Sequence, residues 1–346
     1  MSRPACRIPA PVPALRLMVG AAAVVLWMWV VPTVACGDDA GGQASAYLEW
    51  GVGAQAVAMG GAFTAVASGP TGFWWNPAGI AQERQGGFEA AMRKMSFDRQ
   101  AGYAVLLHPV GTEEAAVALS WVYAGVGDLF EVGLDGYRGE EISDYTNAVG
   151  FSFGRRFSPP HSRLAFSLGL TLRYVQHNIA NISAYSIGFD VGAHVRYQLR
   201  PTYFTDEGTP PEIRFGLAVQ RLNQKFPWTT TDYWARQGED AGSSFEEMFP
   251  VLVRVGVAGL LLDQRLVPAV DIVFDEKQGM TWHVGVEGRP HPLFALRAGL
   301  DDGDPAFGVG LRPKIRPGTE LLFDYAFAVQ PGVIDAEHII SLGIRF

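Results

Sequence analysis

The sequence predicts an all-β fold: a transmembrane antiparallel β-barrel of about fourteen strands, with an N-terminal segment lodged in its lumen as a plug, or hatch. Three observations lead there. From residue 86 onward, apolar and polar residues alternate with a period of two. The polar face of that alternation is rich in Gly, Ser and Ala, as if space were tight on that side. The chain also opens on an export signal. A mean hydropathy of +0.10 is too low for a bundle of membrane helices, but it suits strands that are apolar on one face only.

The export signal comes first. Arg3, Arg7 and Arg16 form a basic region ahead of the apolar run 17–31, and Pro32 ends that run. Thr33-Val34-Ala35 then offers small residues for cleavage after Ala35. An uncleaved anchor is disfavoured, because the apolar run falls short of the ~20 residues that a spanning helix needs. Cys36 follows the cut, where a lipoprotein would carry its lipid, although Thr33 is a poor substitute for the usual leucine. Losing residues 1–35 takes three Arg from 27 basic residues, leaving 24 against 35 acidic ones. That acidic balance disfavours nucleic acid as a partner. Cys36 is then the sole cysteine, so no intrachain disulfide forms and the fold relies on packing and backbone pairing.

The strands follow. In AFSLGLTLRYV (165–175), Phe166, Leu168, Leu170, Leu172 and Tyr174 share one face, with Ser167, Gly169, Thr171 and Arg173 opposite. YSIGFDVGAHVRYQL (185–199) repeats the pattern. Such runs of about 10–15 residues exceed the usual strand of ~5–6 and fit a tilted bilayer crossing with overhang. The segments are 86–95, 98–109, 114–126, 143–155, 163–178, 184–199, 213–224, 248–260, 265–275, 279–289, 292–300, 303–313, 318–329 and 336–346. An even count lets both ends of the barrel wall lie on one side. The longest links, 127–142 and 225–247, fall on the odd-numbered, outer side, whereas 200–212 is long on the turn side. In the last segment, Ile340, Leu342, Ile344 and terminal Phe346 share the apolar face. An open edge in lipid leaves backbone groups unpaired, so this strand is expected to close on the first. Phe346 is also the expected C-terminal signal for the barrel-assembly machinery.

The sequence thus divides into a signal peptide (1–35), a plug (36–85) and a barrel (86–346). The stretch from Trp50 to Gln82 carries no charge, is rich in small residues, and holds Met59, Phe63, Phe73, Trp74 and Trp75. Inside a lumen it becomes a plug whose glycines, Gly60 and Gly61 among them, allow tight turns. Pro77 forces Asn76 into an extended conformation and ends any helix there. Asn76 is then placed to hydrogen-bond plug or barrel backbone.

Residues 51–81, GVGAQAVAMGGAFTAVASGPTGFWWNPAGIA, resemble the N-terminal signature of the PorV/PorQ family, within the larger group of FadL-like outer-membrane channels. Asn76, Pro77 and Ala78 match its Asn-Pro-Ala triplet, and the run from Ala58 to Ala62 matches the stretch before it. The layout from hatch to Phe346 is shared, but only residues 51–81 match as a motif. Ser68 and Gly69 stand where relatives carry acidic residues, so a polar hatch contact is missing there. The resemblance implies a plugged fourteen-stranded barrel in a Gram-negative-type outer membrane. It also implies a function in which long loops hold exported proteins for a secretion machine.

No catalytic motif, phosphate loop or metal-ligand spacing is present, and no cofactor is implied. A histidine on the lumen face could serve an embedded hydrolase, but no motif places a serine beside it. The lumen rows carry Arg173, Asp190, His194, Arg196, Arg254, Asp271, His283, Glu287, Arg312 and Asp324. They read either as a selectivity filter or as a network bracing the wall and pinning the plug. Alternation of both signs favours bracing. Phe130 and Tyr137 in one long loop, with Phe226, Trp228, Tyr233, Trp234 and Phe245 in the other, are expected at the surface. There they would contact a ligand, a protein partner or the membrane rim. Two functions follow: a passive channel for hydrophobic small molecules, or the secretion role that the resemblance implies.

Overall fold

The computed structural model describes residues 48–346 apart from 49, 112–113, 133–134, 181, 200–208, 237, 239 and 330–335. The expected signal segment, Cys36 and most of the 200–212 link lie outside the described residues.

The strands in chain order are β1 (Gly87–Lys94), β2 (Arg99–Val110), β3 (Ala115–Val126), β4 (Phe130–Val132), β5 (Arg138–Glu141), β6 (Asp144–Phe157) and β7 (Leu164–Ile179). Next come β8 (Ile182–Gln198), β9 (Glu212–Leu222), β10 (Lys225–Thr229), β11 (Ser244–Met248), β12 (Leu252–Leu260) and β13 (Leu266–Asp275). The last six are β14 (Gly279–His291), β15 (Phe294–Asp301), β16 (Asp304–Leu311), β17 (Lys314–Arg316), β18 (Thr319–Ala328) and β19 (Glu337–Arg345).

Fourteen of these form one closed antiparallel ring. Each overlaps one of the fourteen segments expected from alternation, although the expected 248–260 starts too early, at Met248 of β11, whereas its strand is Leu252–Leu260. Closure has two signatures. β1 pairs on one side with β2 and on the other with β19, so that Ala90 faces both Ala104 and Leu342. β16 pairs directly with β18, leaving short β17 as an appendage at the start of β18. Closure leaves every long strand with a neighbour on each side, as lipid requires. The remaining strands make two hairpins, β4–β5 and β10–β11, in the two longest links.

Alternation sets the two faces of the wall. On β7, Phe166, Leu168, Leu170, Leu172 and Tyr174 are all at least 39% exposed, whereas Ser167, Thr171 and Arg173 are at most 5% exposed. The apolar side faces outward, the reverse of a water-soluble sandwich. The buried core sits instead inside the ring. Phe63, Phe73, Trp74, Trp75, Met59 and Ile80 pack there against wall alanines such as Ala116, Ala118 and Ala148. The chain through Ile80 thus packs inside the ring, and it leads to β1 at the end where Gly86 O accepts from Phe346 N.

Candidate functional site

The lumenal segment begins beside the wall at Trp50, which lies 5.9 Å from the Arg99 guanidinium. A helical turn, Ala54–Ala58, docks through Ala54 N to Ser341 Oγ of β19 at 2.8 Å. Gly60 (φ 62°) and Gly61 (φ 77°) then reverse the chain, in a conformation that L side chains rarely adopt. The second turn, Gly72–Trp75, leads to Asn76, whose backbone is extended (φ −161°, ψ 109°). The ring of Pro77 crowds the α conformation of the residue before it, which explains both the break and the start of a 3₁₀ turn at Pro77–Gln82.

The segment is held close because the wall is bare where it passes. Gly154 lies opposite Gly169, Gly169 opposite Gly192, Gly216 opposite Gly256, and Gly285 opposite Gly299. A Cβ at Gly169 would overlap the backbone of Pro77 and Ala78, and one at Gly216 the backbone of Thr64. At Gly285 or Gly299 it would overlap the backbone of Met59. This belt accounts for the small-residue face of the strands. A side chain there would displace the segment rather than face water.

Side chains then fix the segment at a few points. Asp271 of β13 accepts from Phe63 N at 2.9 Å and Thr64 N at 2.7 Å. His194 Nε2 donates to Thr64 O at 2.6 Å, and His283 Nδ1 to Gly60 O at 3.0 Å. Asn76 is fully buried and makes three contacts. Its amide donates to Thr64 O and Ala193 O, each at 3.1 Å, and its carbonyl accepts from Ala78 N at 3.1 Å. It therefore ties two parts of the segment to each other and to β8. The three adjacent aromatics fill the space between these ties. Phe63 meets Trp75 edge-on at 6.0 Å, Phe73 lies 6.2 Å from Tyr103, and Trp75 Nε1 donates to Val52 O at 2.9 Å.

The charged lumen residues pair with one another or with the segment. Arg173 bridges Asp190 at 2.5 Å and lies 5.3 Å from the Trp74 ring. Arg196 grips both carboxylate oxygens of Glu212 and reaches Gln82 Oε1 at 2.9 Å. Arg254 lies 5.1 Å from the Trp75 ring and donates to Gln220, which in turn donates to Trp74 O. Arg297 links Glu287 (2.6 Å) to Asp324 (2.7 Å); Arg312 also bonds Asp324, and Gln55 donates to Glu287. Signs interleave at every step, so among the described residues no strip of one charge lines a free passage.

Other participants escaped sequence reading. Tyr103 donates to Glu89 at 2.5 Å, and Arg93 pairs with Glu337 while also donating to Gly51 O. The signal was available: Glu89, Ala91 and Arg93 share the inward parity of β1. Glu83, which bridges Arg345 at 3.5 Å, lies beside Gly69, where the family resemblance lacks its acid.

At the odd-link mouth the expectation needs correcting. Phe226 and Trp228 are not surface contacts: they are 0% and 9% exposed. The β10–β11 hairpin folds inward, so its alternate residues pack on the inner wall rather than facing solvent. Phe226 lies 4.9 Å from Phe249 and 5.7 Å from His177; Trp228 lies 5.3 Å from His177. Phe130 is half-buried under Arg138, and Tyr233 is half-buried against Trp234. Tyr137, Trp234 and Phe245 are exposed, as is Phe346 at the opposite end.

A closed ring of fourteen strands, an apolar outer belt and an occupied lumen define the class: a β-barrel of FadL-like fold. Two solved structures share it. The toluene transporter TbuX of Ralstonia pickettii superposes with a TM-score of 0.50 at 12% identity, over 85% of this chain and 97% of that one. The toluene transporter TodX of Pseudomonas putida gives 0.51 at 12% identity, over 85% and 97%. No family model matches the sequence, and no curated protein does.

Proposed function

We propose that this chain is an outer-membrane protein that lets hydrophobic small molecules cross passively. Residues 1–35 are its signal peptide, 36–85 its hatch and 86–346 its barrel. One observation carries the reading. The lumen is filled by an apolar, uncharged segment that lies on a belt of wall glycines and is held by separate hydrogen bonds to wall side chains such as Ser341, Asp271, His194 and His283, so that no charge has to move when part of it shifts. Between Trp50, Trp74, Tyr103 and the inner faces of β1–β3 it leaves an apolar cavity of about 30 Å³. That holds roughly two waters, too little for a toluene or fatty-acid solute, so a solute enters this space only when the segment beside it shifts. That the two structural neighbours are toluene transporters supports an apolar, monoaromatic solute. Purified protein in liposomes is expected to take up radiolabelled toluene or fatty acid faster than protein-free liposomes; equal rates would remove the proposal.

The resemblance of residues 51–81 to the PorV/PorQ signature supports a second reading, a secretion component that binds exported proteins. The exposed Tyr137, Trp234 and Phe245 favour it, since rings in water at a barrel mouth suit a protein partner. Pull-down from detergent-solubilised membranes should then recover secreted or secretion-system proteins. Recovering none counts against it.

A further inference from the structure

The β10–β11 hairpin has the build of a movable part. Its inner face contributes Phe226 and Trp228 to a small cluster with Phe249 and His177. Lys225 N donates to Ser186 Oγ on the inner face of β8 at 3.0 Å. Below it lie the Arg173–Asp190 pair and Trp74 of the lumenal segment, so the hairpin forms a layer above the hatch.

The joint that carries it runs from a firmly held residue to an unsatisfied one: Arg221 N donates to Asp190 Oδ1 at 2.8 Å and its guanidinium reaches Asp275 at 3.3 Å. Where β9 gives way to the hairpin, Arg221 (φ 65°) and Asn223 (φ 55°) both adopt left-handed backbone, unfavourable for arginine in particular. Gln224 follows, 4% exposed, and neither its amide nitrogen nor its amide oxygen has a partner. It presses on Gly188 of β8, where a Cβ would lie 2.8 Å from Gln224 Cβ. A buried amide with both ends unpaired opposes the packing of a few rings, and lifting the hairpin hydrates it. Opposed terms of this kind leave two states close in free energy.

We propose that the hairpin is an outer lid, hinged at Arg221–Gln224 and at Phe249, that opens to admit solute to the hatch. In the open state the Gln224 amide pairs with water or with a polar atom of the entering molecule. The motion stands by itself; its role in permeation rests on the transport reading above.

Two measurements separate them, both in a Cys36→Ser background. The first is labelling of Ser186→Cys, a buried position under the lid, by a water-soluble maleimide. Labelling is expected to go to completion more slowly than at Met248→Cys, which is 69% exposed. Adding Phe226→Ala should speed it at least tenfold. No labelling at all, or a rate indifferent to Phe226→Ala, overturns the lid. The second is a lock, Gly188→Cys with Gln224→Cys. Disulfide Cβ atoms sit about 3.8 Å apart, so the backbones need to ease by about 1 Å. Oxidation should cut toluene uptake at least tenfold, and reduction should restore it. Uptake that is present but identical in both redox states overturns the gate. If labelling responds while even the unlocked protein takes up nothing, the lid stands and the transport reading fails.

Discussion

Replacing Asn76 with Asp exchanges one nitrogen for oxygen at the point where the lumenal segment and the wall are tied together. The amide donates to Thr64 O and Ala193 O, each at 3.1 Å. A carboxylate turns both contacts into facing lone pairs at a fully buried site, so the introduced group is held neutral while the segment stays packed. Protonating a carboxyl of ordinary pKa about 3.9 costs about 4 kcal/mol at pH 7 and about 1.5 at pH 5. The neutral form donates one of the two bonds, and losing the other adds about 1 kcal/mol. The total is about 5 kcal/mol at pH 7. A group kept neutral on folding imposes a cost that grows as pH rises above its unfolded pKa, so acid relieves it. Asn76→Ala loses all three bonds, about 3 kcal/mol, with no pH dependence. In planar bilayers Asn76→Asp should therefore leak more than Asn76→Ala at pH 7. Its leak should fall roughly 100-fold by pH 5, since two pH units correspond to about 2.7 kcal/mol. A leak from Asn76→Asp that does not change with pH, or that matches the parent, would refute the assignment of Asn76 as the tie.

Gly169→Val places side-chain atoms where the Pro77–Ala78 backbone lies and should cost about 1–3 kcal/mol or more, seen as a lower thermal midpoint together with a raised conductance. Leu170→Arg on the adjacent outward position should cost about 2–4 kcal/mol if it lies near the bilayer midplane, and should reduce the heat-modifiable folded band on gels without opening the pore. Arg297→Ala leaves Glu287 and Asp324 facing each other with Arg289 and Arg312 as remaining partners. A loss of about 3 kcal/mol in detergent unfolding is expected, the low end for breaking a buried ion network.

Much of the wall was legible in the sequence because its determinant is local. A strand buried on one face and bathed in lipid on the other must alternate, and Phe166 to Tyr174 does so whatever its neighbours are. The crowding of the inner face was also legible, since a row such as Ser167, Gly169 and Thr171 has no other evident use. The site was legible only in part. Asn76 stood out because Asn-Pro constrains its own backbone. The partners of Asp271 and His194 did not, because they lie more than 100 residues away at Phe63 and Thr64.

By itself the sequence determined the period, the number of strands and which face meets lipid, because each depends on residues one or two positions apart. Only the tertiary structure decided which glycine meets which turn of the lumenal segment, how the lumen charges pair, and that Phe226 and Trp228 turn inward. Five residues of alternation in KFPWT look the same in a hairpin that rises into water as in one that folds onto the wall. The difference is made by Gly188 and Ser186 on β8, which leave room and a bonding partner for the hairpin only once the ring has closed.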